Sequence, residues 1–95
     1  ALSDRMALGA IGAFVSRGVR VPEDVSVVGF DNAPGVDLAT PRLTTVNQPR
    51  VDMGRMAIKT LADLAGGAAG VSERMKLSTN LIVRASTALA RSGAA

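Results

Sequence analysis

The stretch VSVVGFDN, residues 25–32, is the part of the sequence that decides the fold. Residues 25–30 are almost continuously apolar, and such a run predicts a strand buried on both faces, as in the parallel sheet of an α/β protein. Asp31 follows at once, and turn-forming residues as far as Gly35 end the strand. The sequence therefore predicts an α/β fold with a carboxylate at the carboxyl end of a central strand.

One helix is predicted before this strand in the sequence and another after it. The first begins after the capping residue Ser3 and ends at Gly18. The second covers residues 50–65, and its single apolar arc is typical of a helix packed on a sheet. The first helix has two apolar stripes, Met6, Ala7, Ala10 and Phe14 in one, and Leu8, Ile11 and Val15 in the other. Two stripes predict burial on two sides, either against a partner or deep in a larger domain.

The remaining chain predicts short strands and links. A second strand covers residues 43–47, and residues 75–78 and 81–84 are predicted as one bent strand or as a hairpin. Residues 66–70 form a glycine-rich link, and the small residues 85–95 are expected to fray. The order of helices and strands is typical of a wound α/β sheet.

Composition excludes several classes of function. The 95 residues contain neither Cys nor His, which removes a Ser-His-Asp triad, thiolate chemistry and the usual zinc sites. We therefore expect no enzyme activity, no cofactor and no metal. The 11 basic and 8 acidic residues are spread evenly, unlike a nucleic-acid face, and there is neither a signal peptide nor an apolar run long enough to span a membrane.

Three polar residues are predicted to meet at one edge of the sheet. Ligands of wound sheets bind outside the carboxyl ends of the strands. Asp31 and Gln48 follow the two predicted strands, and Ser3 precedes the first helix. Their carboxylate, amide and hydroxyl groups suit a polar, polyhydroxylated small molecule. Alternatively, Ser3 only caps its helix, Asp31 only forms a turn with its own backbone, and Gln48 only ends a strand.

Four motifs cover nearly the whole chain and resemble one family. They are SDRMALGA (residues 3–10), GVRVPEDVSVVGFDN (18–32), TPRLTTVNQP (40–49) and LIVRAST (81–87). In this order they resemble the signatures of lactose/galactose-repressor (LacI/GalR) family transcriptional regulators. The resemblance implies a three-layer wound parallel sheet of the periplasmic-binding-protein-like type I, present only in part.

The resemblance also implies a place in a larger protein. Residues 1–95 are similar to the last third of the effector-binding and dimerisation core, and the family's helix-turn-helix DNA-binding head is absent from this chain. The family then implies a cytoplasmic homodimer that binds operator DNA through that head and a sugar or related metabolite between two lobes. The same lobes also occur in periplasmic sugar-binding transport components, which remain the alternative.

Roles for particular residues follow from the resemblance alone. Effector binding is implied at Ser3, Asp31 and Gln48, and also at Arg50 near the mouth of the cleft. The dimer interface is implied in the loop 33–42 and in the first helix, at Ala7, Leu8, Ile11 and Val15. An interface there agrees with the second apolar stripe of that helix.

Overall fold

A computed structural model describes residues 1–67 and 76–91, which fall into two compact units. The first unit is Ala1–Asn47 with Asn80–Ala95, and the second is Gln48–Thr79. Two helices, two short strands and one 3₁₀ turn at Val36–Leu38 make up the regular structure of the described residues.

Helix α1, Asp4–Ser16, confirms the first predicted helix. Its cap is Ser3, whose Oγ accepts a hydrogen bond from the Met6 N–H at 3.2 Å, and Gly18 follows its end with a φ of +76°. The helix buries Ala7 and Ile11, and Phe14 packs against the same core. The core face therefore takes residues from both predicted stripes, because the positions i, i+4 and i+7 share one side of a helix.

The segment of residues 27–31 takes the place of the predicted strand, but the predicted burial on both of its faces is wrong for the described chain. It pairs in parallel with residues 44–47 through two isolated bridges, Val28 with Thr44 and Asp31 with Asn47. Val27 is buried, whereas Val28 and Phe30 are 37% and 38% exposed. Their carbonyls accept bonds from residues 1 and 4, so the N-terminal residues cover the edge of the segment and leave one face open.

Strands β1, Thr45–Asn47, and β2, Asn80–Ile82, form the two-stranded sheet of the described residues. They are antiparallel, with Val46 opposite Leu81. The predictions were a strand over residues 43–47 and one bent strand or a hairpin over residues 75–78 and 81–84; instead β1 is shorter, β2 pairs with β1, and residues 76–79 form no strand. Residue 75 lies outside the described residues.

The core of the first unit is aliphatic, as an almost aromatic-free composition requires. Its buried hydrophobic side chains are Ala7, Ile11, Val21, Val27, Val36 and Leu43. Four polar side chains are buried with them, Asp4, Thr44, Thr45 and Ser86, and no buried side-chain polar atom of the described residues lacks a hydrogen-bond partner. Hydrogen bonding therefore offsets the cost of burying these groups.

The predicted fraying after residue 85 is wrong as far as residue 91. Ser86 is fully buried; its Oγ donates to the Val27 carbonyl at 2.7 Å and accepts from the Thr44 N–H at 2.8 Å. The Arg91 guanidinium bonds Asp24 at 3.0 Å, and the two arginines beside that carboxyl, chiefly Arg20, lower its pKa. Specific hydrogen bonds thus fix a segment whose small residues suggested disorder; residues 92–95 lie outside the described residues.

Replacing Ser86 with alanine is expected to lower the free energy of unfolding by about 1–3 kcal/mol, because the buried Thr44 N–H and Val27 carbonyl each lose a partner. Urea unfolding of the intact protein measures this loss. Ser16→Ala is the matched control, since its exposed hydroxyl bonds only the Ala13 carbonyl. Equal midpoints for the two variants would contradict a structural role for Ser86.

Helix α2, Arg50–Ala65, has the predicted bounds. No residue of α2 is buried, and large apolar residues of its predicted arc, among them Val51, Ile58 and Leu61, are exposed. The predicted packing of this arc on a sheet is therefore not present within the described residues. The glycine-rich link begins at Gly66, and its residues 68–70 lie outside the described residues. No helix in the described ranges is long and apolar enough to cross a membrane.

Candidate functional site

The turn after residue 30 has an unusual backbone. Asp31 and Asn32 both have positive φ values, +120° and +56°, although neither is glycine. Such conformations cost about 1–3 kcal/mol each and persist only where the surroundings hold them. Asp31 is half-buried, and its N–H donates to the Val46 carbonyl at 2.8 Å. Asp31 therefore lies in a strained turn at the end of the segment 27–31.

The buried carboxylate of Asp4 holds this turn from one side. Its Oδ2 accepts from the Ala33 N–H at 2.6 Å, and its Oδ1 accepts from the Thr45 hydroxyl at 2.5 Å. The Asp4 N–H also donates to the Phe30 carbonyl at 3.1 Å, and the residue is only 2% exposed. The start of α1, the turn and β1 thus share one anchor. Asp4 is also the acidic residue in the first turn of α1.

Gly29 is required by this close approach. A Cβ at position 29 would overlap the Asp4 carboxylate and lie 2.8 Å from Leu43 Cδ2 and 3.2 Å from Asp4 Cα. Real Cβ atoms essentially never show contacts under 3.0 Å. The absence of a side chain at this position therefore allows the N-terminus of α1 to lie against the segment that leads to Asp31.

Arg84 holds the turn from the other side. Its guanidinium donates from Nη2 to Asn32 Oδ1 and from Nη1 to the Leu43 carbonyl, both at 2.9 Å. Asn32 also donates from Nδ2 to Asn47 Oδ1 at 3.1 Å, and from its N–H to Thr45 Oγ1 at 3.3 Å. The Asn32 side chain is thereby fixed between β1 and the segment that follows β2.

The structure places the predicted effector residues in both units. Ser3 and Asp31 belong to the first unit, where the bonds of Asp4 bring the start of α1 to the turn. Ser3 caps α1, and a hydroxyl that accepts one bond can still donate its own proton. Gln48 and Arg50 belong to the second unit, where the Arg50 N–H donates to the Gln48 carbonyl at 2.8 Å. The convergence of all four residues stays a prediction.

The predicted interface residues of α1 divide into two pairs. Ala7 and Ile11 lie in the chain's own core, which corrects their expected availability to a partner. Leu8 and Val15 are 36% and 58% exposed, so they are the members of the set that a second subunit can reach. The interface itself remains a prediction.

Sequence reasoning missed Asn32 and Arg84 as parts of the site. Asn32 carried one usable signal, since asparagine is several-fold enriched among residues with positive φ. Arg84 carried none, because its partners Asn32 and Leu43 lie far away in the sequence.

The comparisons with known proteins define the class to which this arrangement belongs. The family model described as "Periplasmic binding protein-like domain" matches residues 1–87, so the chain belongs to that family. The resemblance to lactose/galactose-repressor regulators is also confirmed. The chain is 47% identical over 88 residues to "HTH-type transcriptional regulator MalR" of Streptomyces coelicolor, covering 93% of this chain and 26% of that protein.

Solved structures agree with this family. A "transcriptional regulator CelR-cellobiose complex" matches with a TM-score of 0.85 and 43% identity, covering 90% of this chain and 26% of that one. A lac repressor dimer bound to operator and the anti-inducer ONPF matches with a TM-score of 0.83 and 35% identity, covering 90% and 30%. The periplasmic-binding-protein-like fold is thereby established, and the chain spans about a quarter of the length of the curated relative.

Proposed function

We propose that residues 1–95 are the C-terminal part of the effector-binding and dimerisation core of a DNA-binding transcriptional regulator. The observation that carries this proposal is the 47% identity to a named regulator along 93% of the chain. In the whole protein, a helix-turn-helix head outside this chain binds operator DNA, and the core is completed to a three-layer wound parallel sheet. The described antiparallel pair and parallel bridges are then pieces of that larger fold.

The proposed effector is a sugar or related polar metabolite. The similar regulator CelR was solved as a complex with cellobiose, which supports this class. Asp31 presents a half-buried carboxylate that can accept two hydroxyl protons, and Ser3 caps the adjoining helix start. Gln48 and Arg50 complete the proposed site with an amide and a guanidinium.

The regulator is favoured over the alternative, a periplasmic sugar-binding transport component, because MalR and CelR are both named as transcriptional regulators. The protein is accordingly proposed to be cytoplasmic and to have no enzymatic activity. Effector binding acts by shifting a population: a sugar that binds one arrangement of the lobes better than another stabilises that arrangement and changes the affinity for DNA.

The experiment uses the full-length protein. Calorimetric titration with maltose, cellobiose and lactose tests the effector class, and a gel-shift assay with DNA from upstream of its own gene tests operator binding. We expect one of the saccharides to bind and to change the affinity for DNA. A protein that binds saccharide but no DNA would instead support the transport component.

Exposed Leu8 predicts how the regulator assembles. In a two-fold interface the same face of α1 meets its symmetry mate, so Leu8→Asp places a charge in a dehydrated contact. We expect sedimentation of the full-length variant at micromolar concentration to show monomer. The matched control is Met6→Asp, because Met6 is 58% exposed and lies about 200° around the same helix. If both variants stay dimeric, the α1 face is not the interface.

A further inference from the structure

Asn32 is held in a left-handed backbone conformation by contacts of its own side chain. Asn32 has a φ of +56° directly after a residue at +120°, so two adjacent backbone units are held away from their preferred geometry. Asn32 tolerates this conformation better than most residues, but tolerance does not fix it. Its side-chain oxygen accepts from Arg84, and its side-chain nitrogen donates to Asn47.

The Arg84 guanidinium bonds two acceptors at the same time. The two Nη atoms reach Asn32 Oδ1 and the Leu43 carbonyl at 2.9 Å each, while the Arg84 N–H donates to Thr44 Oγ1 at 2.9 Å. Arg84 therefore has three bonds to two segments, and it is itself half-buried. A planar guanidinium loses less side-chain freedom per bond than a flexible ammonium, which makes it suited to holding a turn.

We infer that Arg84 is a positioning residue for the effector site: it holds Asn32 in its left-handed conformation and thereby fixes the direction of the Asp31 carboxylate. This inference rests on the proposed effector role of Asp31. Arg84 itself is not placed against the effector. Its action passes through the Asn32 side chain, and its loss lets the turn relax toward conformations in which the carboxylate points elsewhere.

The first measurement needs no effector. Amide hydrogen exchange in the full-length protein compares two N–H groups of the same segment. The Asp31 N–H bonds the Val46 carbonyl, and the Gly29 N–H, two residues before Asp31, bonds the Thr44 carbonyl. In Arg84→Met we expect exchange at Asp31 to accelerate about tenfold relative to Gly29, as expected when a local opening becomes easier. An unchanged ratio of the two rates would show that Arg84 does not hold the turn.

The second measurement is calorimetric titration with whichever of maltose, cellobiose and lactose binds the parent protein most tightly. Arg84→Met is expected to weaken binding about tenfold. Arg84→Lys should weaken it less, because an ammonium can still bond one of the two acceptors although it cannot span both. Asn32→Gly supplies the decisive background, since glycine adopts positive φ freely and offers no amide to hold. There, Arg84→Met should change the affinity by no more than about twofold, the signature of two residues acting as one unit.

Two controls separate positioning from stability. Ser86→Ala weakens the same C-terminal segment without touching Asn32, and Arg91→Met removes a guanidinium that bonds Asp24 instead of the turn. Both should leave the saccharide affinity within about twofold of the parent when the protein is folded. Equal losses in Ser86→Ala and Arg84→Met would reduce Arg84 to a structural role and overturn the inference.

The outcomes for the inference and for the proposed function can be told apart. If Asp31→Ala weakens saccharide binding and Arg84→Met does not, the effector site stands and the positioning role is wrong. If Asp31→Ala binds as tightly as the parent, or none of the three saccharides binds, the proposed effector site is wrong. In that case the exchange rates still decide whether Arg84 holds the turn.

Discussion

Replacing Asp31 with alanine is expected to weaken saccharide binding by the full-length protein about 30- to 1000-fold, the equivalent of about 2–4 kcal/mol. The reason is that ligand hydroxyls buried against position 31 would keep their dehydration cost and lose their acceptor. Operator affinity without saccharide should change little, because residues 1–95 are not part of the proposed DNA-binding head. Calorimetric titration and a gel-shift assay measure the two quantities.

A weaker affinity in Asp31→Ala has a second possible cause, the loss of the turn's shape. If the carboxylate serves only to shape the turn, its removal lowers the melting temperature and the affinity together. A thermal melt of each variant separates the two roles, since an effector contact costs affinity at nearly constant stability. Asp31→Asn should be milder than Asp31→Ala, because an amide still offers one acceptor oxygen. Full affinity in Asp31→Ala would remove this residue from the site.

A methyl group at position 29 is expected to be the most damaging small change to stability. Gly29→Ala places its Cβ against the Asp4 carboxylate and Leu43, and Asp4 cannot move aside without losing its bonds to Ala33 and Thr45. The expected loss is about 3 kcal/mol in the free energy of unfolding, measured with urea.

Gly9→Ala makes the same change where there is space. Gly9 lies inside α1, and apart from its chain neighbours and the backbone of its own helix no atom of the described residues lies within 4 Å of a Cβ built there. Alanine in a helix interior stabilises by about 0.5–1 kcal/mol relative to glycine. The two variants should therefore move the unfolding midpoint in opposite directions. A shift of the same sign in both would mean that the crowding around Gly29 is relieved at little cost.

Local signals predicted the helices because the information lies within one turn of their ends. Ser3 caps α1 through a residue three positions away, and Gly18 adopts the positive φ expected after a helix end. The limits of α2 were predicted in the same way, from Pro49 before it and Gly66 after it. Such contacts depend only on residues close to the helix end in the sequence.

Burial and pairing could not be predicted as well, because they depend on which distant segment arrives. Val28 and Phe30 look like core residues, yet their exposure is decided by how residues 1–4 and 44–47 flank them. The rule that ligands bind at strand ends predicts Asp31 as a site residue, and the residue type of Asn32 is compatible with its positive φ. The role of Arg84 depends on a bond to a residue 52 positions away, which no local pattern indicates.

The Ser86 hydroxyl also makes the order of synthesis matter. It supplies an acceptor to the Thr44 N–H, 42 positions earlier, and a donor to the Val27 carbonyl, 59 positions earlier. A chain growing from its N-terminus therefore has both groups in place long before their partner exists. Long-range contacts of this kind form late and slowly. Until Ser86 is synthesised, the Thr44 N–H and the Val27 carbonyl lack this hydrogen-bond partner. During that time a chaperone or a non-native strand can bind these segments.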